Sequence, residues 1–190
     1  NKQIPLAELL RPKTVDEYLG QGQIVGENAA FMNLLRSGRL FSCIFWGPPG
    51  CGKTTLARLI AGSTNSDFIE LSAVTSGIKE IKDAVDRAKE SLRYNKKTIL
   101  FIDEIHRYSK TQQDALLPHL ENGTLYLIGS TTENPSFQVV PALVSRVQVI
   151  RLNPIDDENK KNILKKRFGY HSQQHGVITT TNEILEYIVR

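Results

Sequence analysis

One glycine-rich run constrains the fold of this chain more than any other feature. It follows an apolar segment, Ser42 to Trp46, that has the pattern of a β-strand, and it precedes a segment of helical pattern from about Lys53 to Ala61. The run is Gly47-Pro48-Pro49-Gly50-Cys51-Gly52-Lys53-Thr54, which matches G-x-x-x-x-G-K-[ST] at every fixed position. A strand, a glycine loop and a helix in this order predict a phosphate-binding loop rather than a chance turn.

The residue types in this loop indicate how it would bind a nucleotide. Glycines let the backbone curl so that successive N–H groups point inward at phosphate oxygens, and the helix N-terminus adds partial positive charge. Lys53 is predicted to reach the β- and γ-phosphates, and the hydroxyl of Thr54 is predicted to hold Mg²⁺. Thr55 is the next residue on the helix and is included in the predicted site. The expected ligands are ATP and Mg²⁺.

A second motif lies far enough downstream to leave room for a helix, a strand, a helix and a strand. Thr98 to Ile102 is a nearly all-apolar strand, and Asp103 and Glu104 follow it directly. In a parallel sheet both motifs would emerge at the carboxyl edge, where ligands bind. Asp103 is predicted to hold Mg²⁺ through its water shell, and Glu104 to polarise the attacking water. Without the glycine loop, the two acids would be interpreted as a simple strand end.

His106 completes the sequence Asp103-Glu104-Ile105-His106, which spells the D-E-x-H signature of helicases built from two RecA-like domains. Such a helicase needs two ATPase-like domains to complete its site, and this sequence shows the pattern of only one. His106 by itself is predicted to pack or hydrogen-bond locally rather than to catalyse.

Apolar segments alternate with helical ones along the rest of the chain. The further predicted strands are Phe68 to Ser72, Leu125 to Gly129 and Val147 to Leu152. Helices are predicted over Ile78 to Arg93 and Thr111 to Leu120, the second stopped by Asn122-Gly123. This alternation predicts an α/β fold, an αβα sandwich around a five-stranded parallel sheet.

A break in pattern at Pro154 and the acidic pair Asp156-Asp157 divides the chain. Residues 1–152 are predicted to form the ATPase core. Residues 153–190 are predicted to begin a smaller helical lid domain, which is incomplete because the sequence stops within a helix-like segment at 182–190.

Composition limits the possible classes of protein. No apolar run approaches the ~18 residues that span a bilayer, so no membrane partner is expected. Cys43 and Cys51 suit a reducing compartment and are predicted to form neither a disulfide nor a metal site. The net charge of +4 permits contact with nucleic acid without arguing for it. The basic stretch from Lys160 to Arg167 is interpreted as a solvated helix face.

Several segments carry a resemblance to a known family. Arg11-Pro12-Lys13-Thr14, with Tyr18, Gly20-Gln21 and Gly26, resembles the AAA+ segment that wraps adenine, and Asp103 to Arg107 is similar to the matching strand end of the bacterial branch-migration motor. More distinctive are the runs Gln112 to Gly123 and Leu127 to Phe137. From about Pro5 to Leu152 the chain resembles the RarA/MgsA family (replication-associated recombination protein A), whose eukaryotic members include the Werner helicase-interacting protein.

The resemblance implies further site residues and a strand order of 5-1-4-3-2. It implies that Arg11 and Pro12 contact the nucleotide, and that Thr132, or less well Asn134, senses the γ-phosphate. It also implies that Ser145-Arg146 donates an arginine finger to a neighbouring subunit, which can be worth ~10³ to 10⁵ in rate. The protein is therefore expected to be a homo-oligomer. Without the resemblance, Thr131-Thr132 would be a polar strand end and Arg146 a surface arginine.

Two positions depart from the family pattern. Ser72 stands near the second strand where relatives often carry the Asn that switches the catalytic glutamate, and Val147 replaces a Cys after the Ser-Arg pair. The second arginine sensor and the family's C-terminal oligomerisation region are expected beyond residue 190.

The function implied by the resemblance is a DNA-dependent ATPase that acts in replication-fork maintenance, recombination and DNA repair. Its implied partners are single-stranded, gapped or forked DNA and replication and repair proteins. Its implied location is intracellular, in the bacterial cytoplasm at the nucleoid or in a eukaryotic nucleus. The alternatives are a clamp-loader or Holliday-junction branch-migration subunit, and a binding module that uses ATP as a conformational switch.

Overall fold

A sheet of five parallel strands organises the computed structural model, which describes residues 11–12, 14–26, 29–37 and 39–165. Its spatial order is β2-β3-β4-β1-β5. The strands are β1 (Cys43–Trp46), β2 (Asp67–Ser72), β3 (Thr98–Asp103), β4 (Tyr126–Thr131) and β5 (Gln148–Arg151). The predicted α/β class, parallel sheet and strand order are confirmed, and each strand boundary differs from its predicted position by at most two residues.

The central strands are buried on both faces, which explains their nearly continuous apolar sequence. In β3, Ile99 and Phe101 belong to one core cluster, while Leu100 and Ile102 belong to the other. Alternate side chains of a strand point to opposite faces, so β3 supplies both layers. All four side chains are fully buried, and each contributes about 1.5–3 kcal/mol of hydrophobic stabilisation.

Helices cover both faces of the sheet. Those before β3 are α1 (Gly22–Val25), α2 (Ala30–Arg36), α3 (Lys53–Ser63) and α4 (Ile78–Arg93), with a 3-10 turn at Val15–Glu17. After β3 come a 3-10 turn (Ile105–Arg107), α5 (Lys110–Asp114), α6 (Leu117–Glu121), α7 (Pro135–Gln138), α8 (Pro141–Val144) and α9, over 157–165. None of the helices in the described ranges is long and apolar enough to cross a bilayer.

The helix predicted over Thr111 to Leu120 is wrong as a single element, because the structure has two short helices there. Ser109 caps α5, where its hydroxyl accepts from the Gln112 N–H at 3.3 Å and its own N–H donates to the Gln112 side chain at 2.9 Å. Pro118 lies in the first turn of α6. Because proline has no N–H to donate to the preceding turn, it can begin a helix but cannot continue one.

The sheet order brings three strand ends together. Strand β4 lies between β1 and β3, so the glycine loop, the acidic pair and the polar end of β4 meet at one edge. Two main-chain bonds tie this edge, from Gly47 N–H to Thr131 O at 3.1 Å and from Ala73 N–H to Asp103 O at 2.9 Å. The carboxyl edge is therefore where the candidate site lies.

The chain leaves the sheet at Leu152 and enters α9, whose first turn is capped by the Asp156 carboxylate, 2.7 Å from the Asn159 N–H. The lid domain predicted over 153–190 remains a prediction. Residues 166–190, including the helix predicted at 182–190, lie outside the described residues, as do Pro5 and Lys13 of the family-like segment.

Candidate nucleotide-binding site

The glycine loop has a backbone that other residues would not tolerate. Gly50 and Gly52 have φ values of +74° and +95°, in the left-handed region. A Cβ atom on Gly52 would lie 2.7 Å from the Tyr18 hydroxyl, and one on Gly47 would lie 2.5 Å from the Leu152 carbonyl. The loop is thus shaped by close approach from segments on both sides of it.

Lys53 is the charged group inside this loop. Its Nζ donates to the carbonyls of Gly47 at 2.8 Å and Pro48 at 2.9 Å, and the residue is only 8% exposed. No carboxylate among the described residues forms an ion pair with it. A buried cation without a counter-ion is costly, so the loop is suited to receive an anion such as phosphate.

Two side chains from the N-terminal segment hold the glycine loop. The Tyr18 hydroxyl donates towards the carbonyls of Cys51 at 3.3 Å and Gly52 at 3.2 Å. The fully buried Gln21 amide donates to Cys51 O at 3.4 Å and Asn153 O at 2.7 Å, and it accepts from the Asn153 N–H at 3.0 Å. The Gln21 amide therefore links the N-terminal segment, the glycine loop and the chain beyond β5.

Burial also changes the acidity of two groups at this point. Desolvation raises the pKa of the Tyr18 phenol, with a further contribution from Cys51. Desolvation likewise raises the pKa of the Cys51 thiol, against the opposing charge of Lys53. Both groups are therefore neutral at physiological pH. Cys43 and Cys51 are free and buried.

Asp103 and Glu104 lie next to the loop edge, as predicted, and both contact Ser130 of β4. The Ser130 hydroxyl donates to Asp103 Oδ1 and accepts from the Glu104 N–H at 3.3 Å. Glu104 has φ +55° and ψ +45°, a left-handed conformation that is uncommon for a residue other than glycine. Asp103 also faces Ser72 across the β2–β3 pair. The carboxylate of Asp103 and the hydroxyl of Thr54 are oxygen donors of the type that Mg²⁺ prefers.

The His106 ring lies close to the Glu104 side chain and to two residues at and just after the end of β4. Nε2 of His106 lies 3.4 Å from Glu104 Oε2 and 3.7 Å from Glu133 Oε1. Nδ1 of the same ring lies 2.9 Å from the Thr131 hydroxyl. The structure confirms that His106 hydrogen-bonds locally.

The other residues predicted for this site are exposed or half-buried. Thr132 is exposed directly after β4, and the Asn134 side chain caps α7 by accepting from the Ser136 N–H at 3.0 Å. Thr55, Arg11 and Pro12 are half-buried. Their predicted roles toward a nucleotide remain predictions.

Arg146 lies at the other edge of the sheet. It precedes β5 and so sits beside the amino ends of the strands, about 10 Å of strand away from the loop edge. Its guanidinium contacts the Glu121 carboxylate at 2.5 Å and donates to the Ala142 carbonyl at 2.7 Å. The structure does not bring Arg146 to the glycine loop of its own chain.

Sequence reasoning missed two site residues, Ser130 and Thr131. Both are polar, fully buried and at the end of an otherwise apolar strand. A hydroxyl in a buried strand needs a partner, and that signal could have marked them.

Comparison with known proteins agrees with this geometry. Residues 43–155 match the model of the ATPase family associated with various cellular activities (AAA). The match covers more than half of the chain and contains the glycine loop, the acidic pair and β4, and the chain belongs to the AAA family of ATPases.

Two of its relatives belong to a narrower group within this family. Replication-associated recombination protein A of Haemophilus influenzae is 49% identical over 162 residues, which are 85% of this chain and 36% of that protein. ATPase WRNIP1 of Dictyostelium discoideum is 48% identical over 162 residues, covering 85% of this chain and 18% of that protein. The resemblance inferred from the sequence is confirmed, and the chain spans little more than a third of the length of its bacterial relative.

A solved structure supports the fold. The Holliday junction branch migration motor RuvB of Thermotoga maritima superposes with a TM-score of 0.68 at 28% identity, covering 86% of this chain and 55% of that one.

Proposed function

We propose that this chain binds and hydrolyses ATP with Mg²⁺. The observation that carries the proposal is the buried Lys53 ammonium, which forms no ion pair with a described carboxylate and lies in the glycine loop, one strand away from the Asp103-Glu104 pair. A cationic loop beside two carboxylates suits phosphoryl transfer, in which positioning and electrostatics supply most of the catalysis.

Each residue of the site has the role that suits the chemistry of its side chain. Lys53 exchanges its loop carbonyls for phosphate oxygens, and Thr54 and Asp103 hold Mg²⁺. Bound Mg²⁺ supplies positive charge that offsets the charge developing on the transferred group. Glu104 orients the attacking water, with Thr132 as the γ-phosphate sensor and Arg11, Pro12 and Thr55 completing nucleotide binding.

The active assembly is a homo-oligomer. Arg146 lies at the amino edge of the sheet, away from the loop of its own chain, and this position supports a role at the loop of a neighbouring subunit. A finger supplied in trans completes each site only at a subunit boundary.

The full-length protein acts on DNA during replication-associated recombination and fork maintenance. The relative at 49% identity is named replication-associated recombination protein A, which supports this role. Its partners are single-stranded, gapped or forked DNA and replication and repair proteins, and its location is intracellular. The similarity to a Holliday junction branch migration motor favours a branch-migration subunit as the second candidate.

Steady-state ATPase assays of the full-length protein test both the proposed ATP hydrolysis and the proposed action on DNA. Rates are measured alone and with single-stranded, gapped, forked and four-way-junction DNA. We expect Glu104→Gln to lower kcat by at least about a hundredfold, and Lys53→Ala to abolish nucleotide binding. The exposed Lys89 provides a matched control, and Lys89→Ala should retain the wild-type rate.

The possible outcomes distinguish between the proposed functions. Wild-type turnover in both Glu104→Gln and Lys53→Ala would exclude hydrolysis at this site. Stimulation by four-way junctions but not by gapped or forked DNA would favour the branch-migration subunit. ATP-dependent partner binding without turnover would favour the nucleotide-switched binding module.

A further inference from the structure

The hydrogen bonds of Thr131 favour one of the two neutral tautomers of His106. The Thr131 hydroxyl accepts from the Glu133 N–H at 3.0 Å, which leaves its own proton to donate. The nearest acceptor is His106 Nδ1 at 2.9 Å, closer than the Glu133 carbonyl at 3.3 Å. When the Thr131 hydroxyl donates to Nδ1, Nδ1 is the acceptor of the ring and Nε2 carries the proton.

In this tautomer the protonated ring nitrogen is the one nearer to the candidate base. Nε2 lies 3.4 Å from Glu104 Oε2, with the half-exposed Glu133 carboxylate slightly farther away at 3.7 Å. Among the described residues, His106 is the basic side chain within ion-pair distance of the Glu104 carboxylate. The imidazole side chain is 9% exposed, so its position is determined by packing rather than by solvent.

The segment that carries the histidine is firmly held. Ile105 is fully buried, and its side chain fills the space above Gly129, where a Cβ atom would approach it to 3.1 Å. The Thr131 carbonyl accepts from Gly47, the first residue of the glycine loop, at 3.1 Å. Thr131 thus contacts the loop through its backbone and the histidine through its side chain.

We propose that Thr131 and His106 are positioning residues for Glu104. The Thr131 hydroxyl orients the imidazole, and the imidazole holds the carboxylate in the direction required to polarise water. This inference rests on the proposed ATPase function. It assigns a role to the D-E-x-H histidine without a second motor domain, and a distinct role to each threonine, with Thr131 acting on the base while Thr132 faces solvent.

Paired substitutions in the full-length protein test the proposal. Thr131→Val and His106→Leu should each lower kcat by about tenfold or more, while the Kd for a fluorescent ATP analogue changes little. Thr131→Ser retains the hydroxyl and His106→Gln retains an N–H donor at the Nε2 position, so both should recover most of the rate. In a Glu104→Gln background, Thr131→Val should cause no further loss.

Thr98 provides a matched control. It is a buried threonine on the neighbouring strand, and its hydroxyl has no hydrogen-bond partner among the described residues. Thr98→Val makes the same chemical change away from the histidine, and kcat should remain at the wild-type value.

Long-range ¹H–¹⁵N spectra give a readout that does not depend on turnover. The His106 signals are identified by their absence in His106→Gln. We expect the Nε2–H tautomer in the wild type and a changed ring signal in Thr131→Val, and a wild-type Nδ1–H tautomer would contradict the proposal.

The kinetic outcomes distinguish the positioning role of Thr131 and His106 from the ATPase function itself. If Glu104→Gln is inactive but Thr131→Val and His106→Leu keep full kcat, the positioning role is wrong and the ATPase stands. If Glu104→Gln and Lys53→Ala are both fully active, the proposed function is wrong. If Thr131→Val weakens nucleotide binding as much as it lowers kcat, Thr131 supports the loop rather than the base, and the proposal is overturned.

Discussion

Ser130 shows how much a single hydroxyl can organise at the residue scale. It donates to Asp103 and accepts from the Glu104 N–H, so one side chain orients the proposed metal ligand and satisfies the backbone N–H of the proposed base. The side chain is fully buried, which leaves these contacts unreplaced by water when the hydroxyl is removed.

We therefore expect Ser130→Ala to act on both stability and metal use. The free energy of unfolding should fall by about 1 kcal/mol, because the Glu104 N–H loses its acceptor. The Mg²⁺ concentration for half-maximal ATPase should rise by about tenfold, because Asp103 loses an orienting donor. Urea unfolding and Mg²⁺ titrations measure the two effects. Ser136→Ala, at an exposed position in α7, is the control, and equal behaviour of both variants would contradict the assignment.

The sequence alone was sufficient to predict Lys53, Thr54, Asp103 and Glu104 because their motifs have fixed residue types and spacing. The Ser130 and Thr131 contacts could not be derived in that way. They depend on β4 lying between β1 and β3. The positions of the apolar segments along the chain do not specify this strand order, and only the family resemblance predicted it.

At the scale of elements, glycines in the loop and in the adjoining helix have opposite roles. Gly52 has φ +95° and lies against the Tyr18 ring, whereas Gly62 is exposed in α3 and has open space where a Cβ atom would stand. The first is required by conformation and packing, and the second is a weak helix former without a compensating contact.

Alanine substitutions at these glycines should consequently change stability in opposite directions. Gly62→Ala should raise the free energy of unfolding by up to about 1 kcal/mol, because alanine favours the helix. Gly52→Ala should lower it by at least about 1–2 kcal/mol, from left-handed strain and the clash with Tyr18, and should weaken nucleotide binding. Thermal unfolding with and without an ATP analogue measures both, and a Gly52→Ala variant as stable as wild type would refute the packing argument.

Element boundaries illustrate what local pattern can and cannot predict. The sixteen-residue α4 was predicted with its observed limits, Ile78–Arg93, because its apolar stripe is long and regular. The segment from Thr111 to Leu120 also has helical composition, yet it forms two helices. Local backbone chemistry at Ser109 and Pro118 decides that outcome, and a periodicity argument does not weigh it.

At the scale of the whole molecule, the loop and Arg146 lie on opposite edges of one sheet. That arrangement predicts complementation between two inactive variants. Lys53→Ala protomers lack a working loop but keep the arginine, and Arg146→Ala protomers have the converse defect. Mixing equal amounts should restore activity at roughly a quarter of the sites, those that pair an intact loop with an intact neighbouring arginine.

The mixing experiment needs its own control. Arg93 is an exposed arginine at the end of α4, and Arg93→Ala protomers should be active before mixing. Mixed oligomers of the two inactive variants, verified by native mass spectrometry, that hydrolyse no ATP would exclude a finger supplied in trans.

The left-handed conformation of Glu104 has a consequence for how this chain can change over generations. Glutamate at φ +55° costs about 1–2 kcal/mol that glycine would not incur, and asparagine would incur less of it. Substitution by either residue would strengthen the fold while removing the carboxylate. A descendant no longer selected for turnover would thus gain stability by losing this side chain, and its absence from an otherwise intact homologue would mark a domain that binds nucleotide without consuming it.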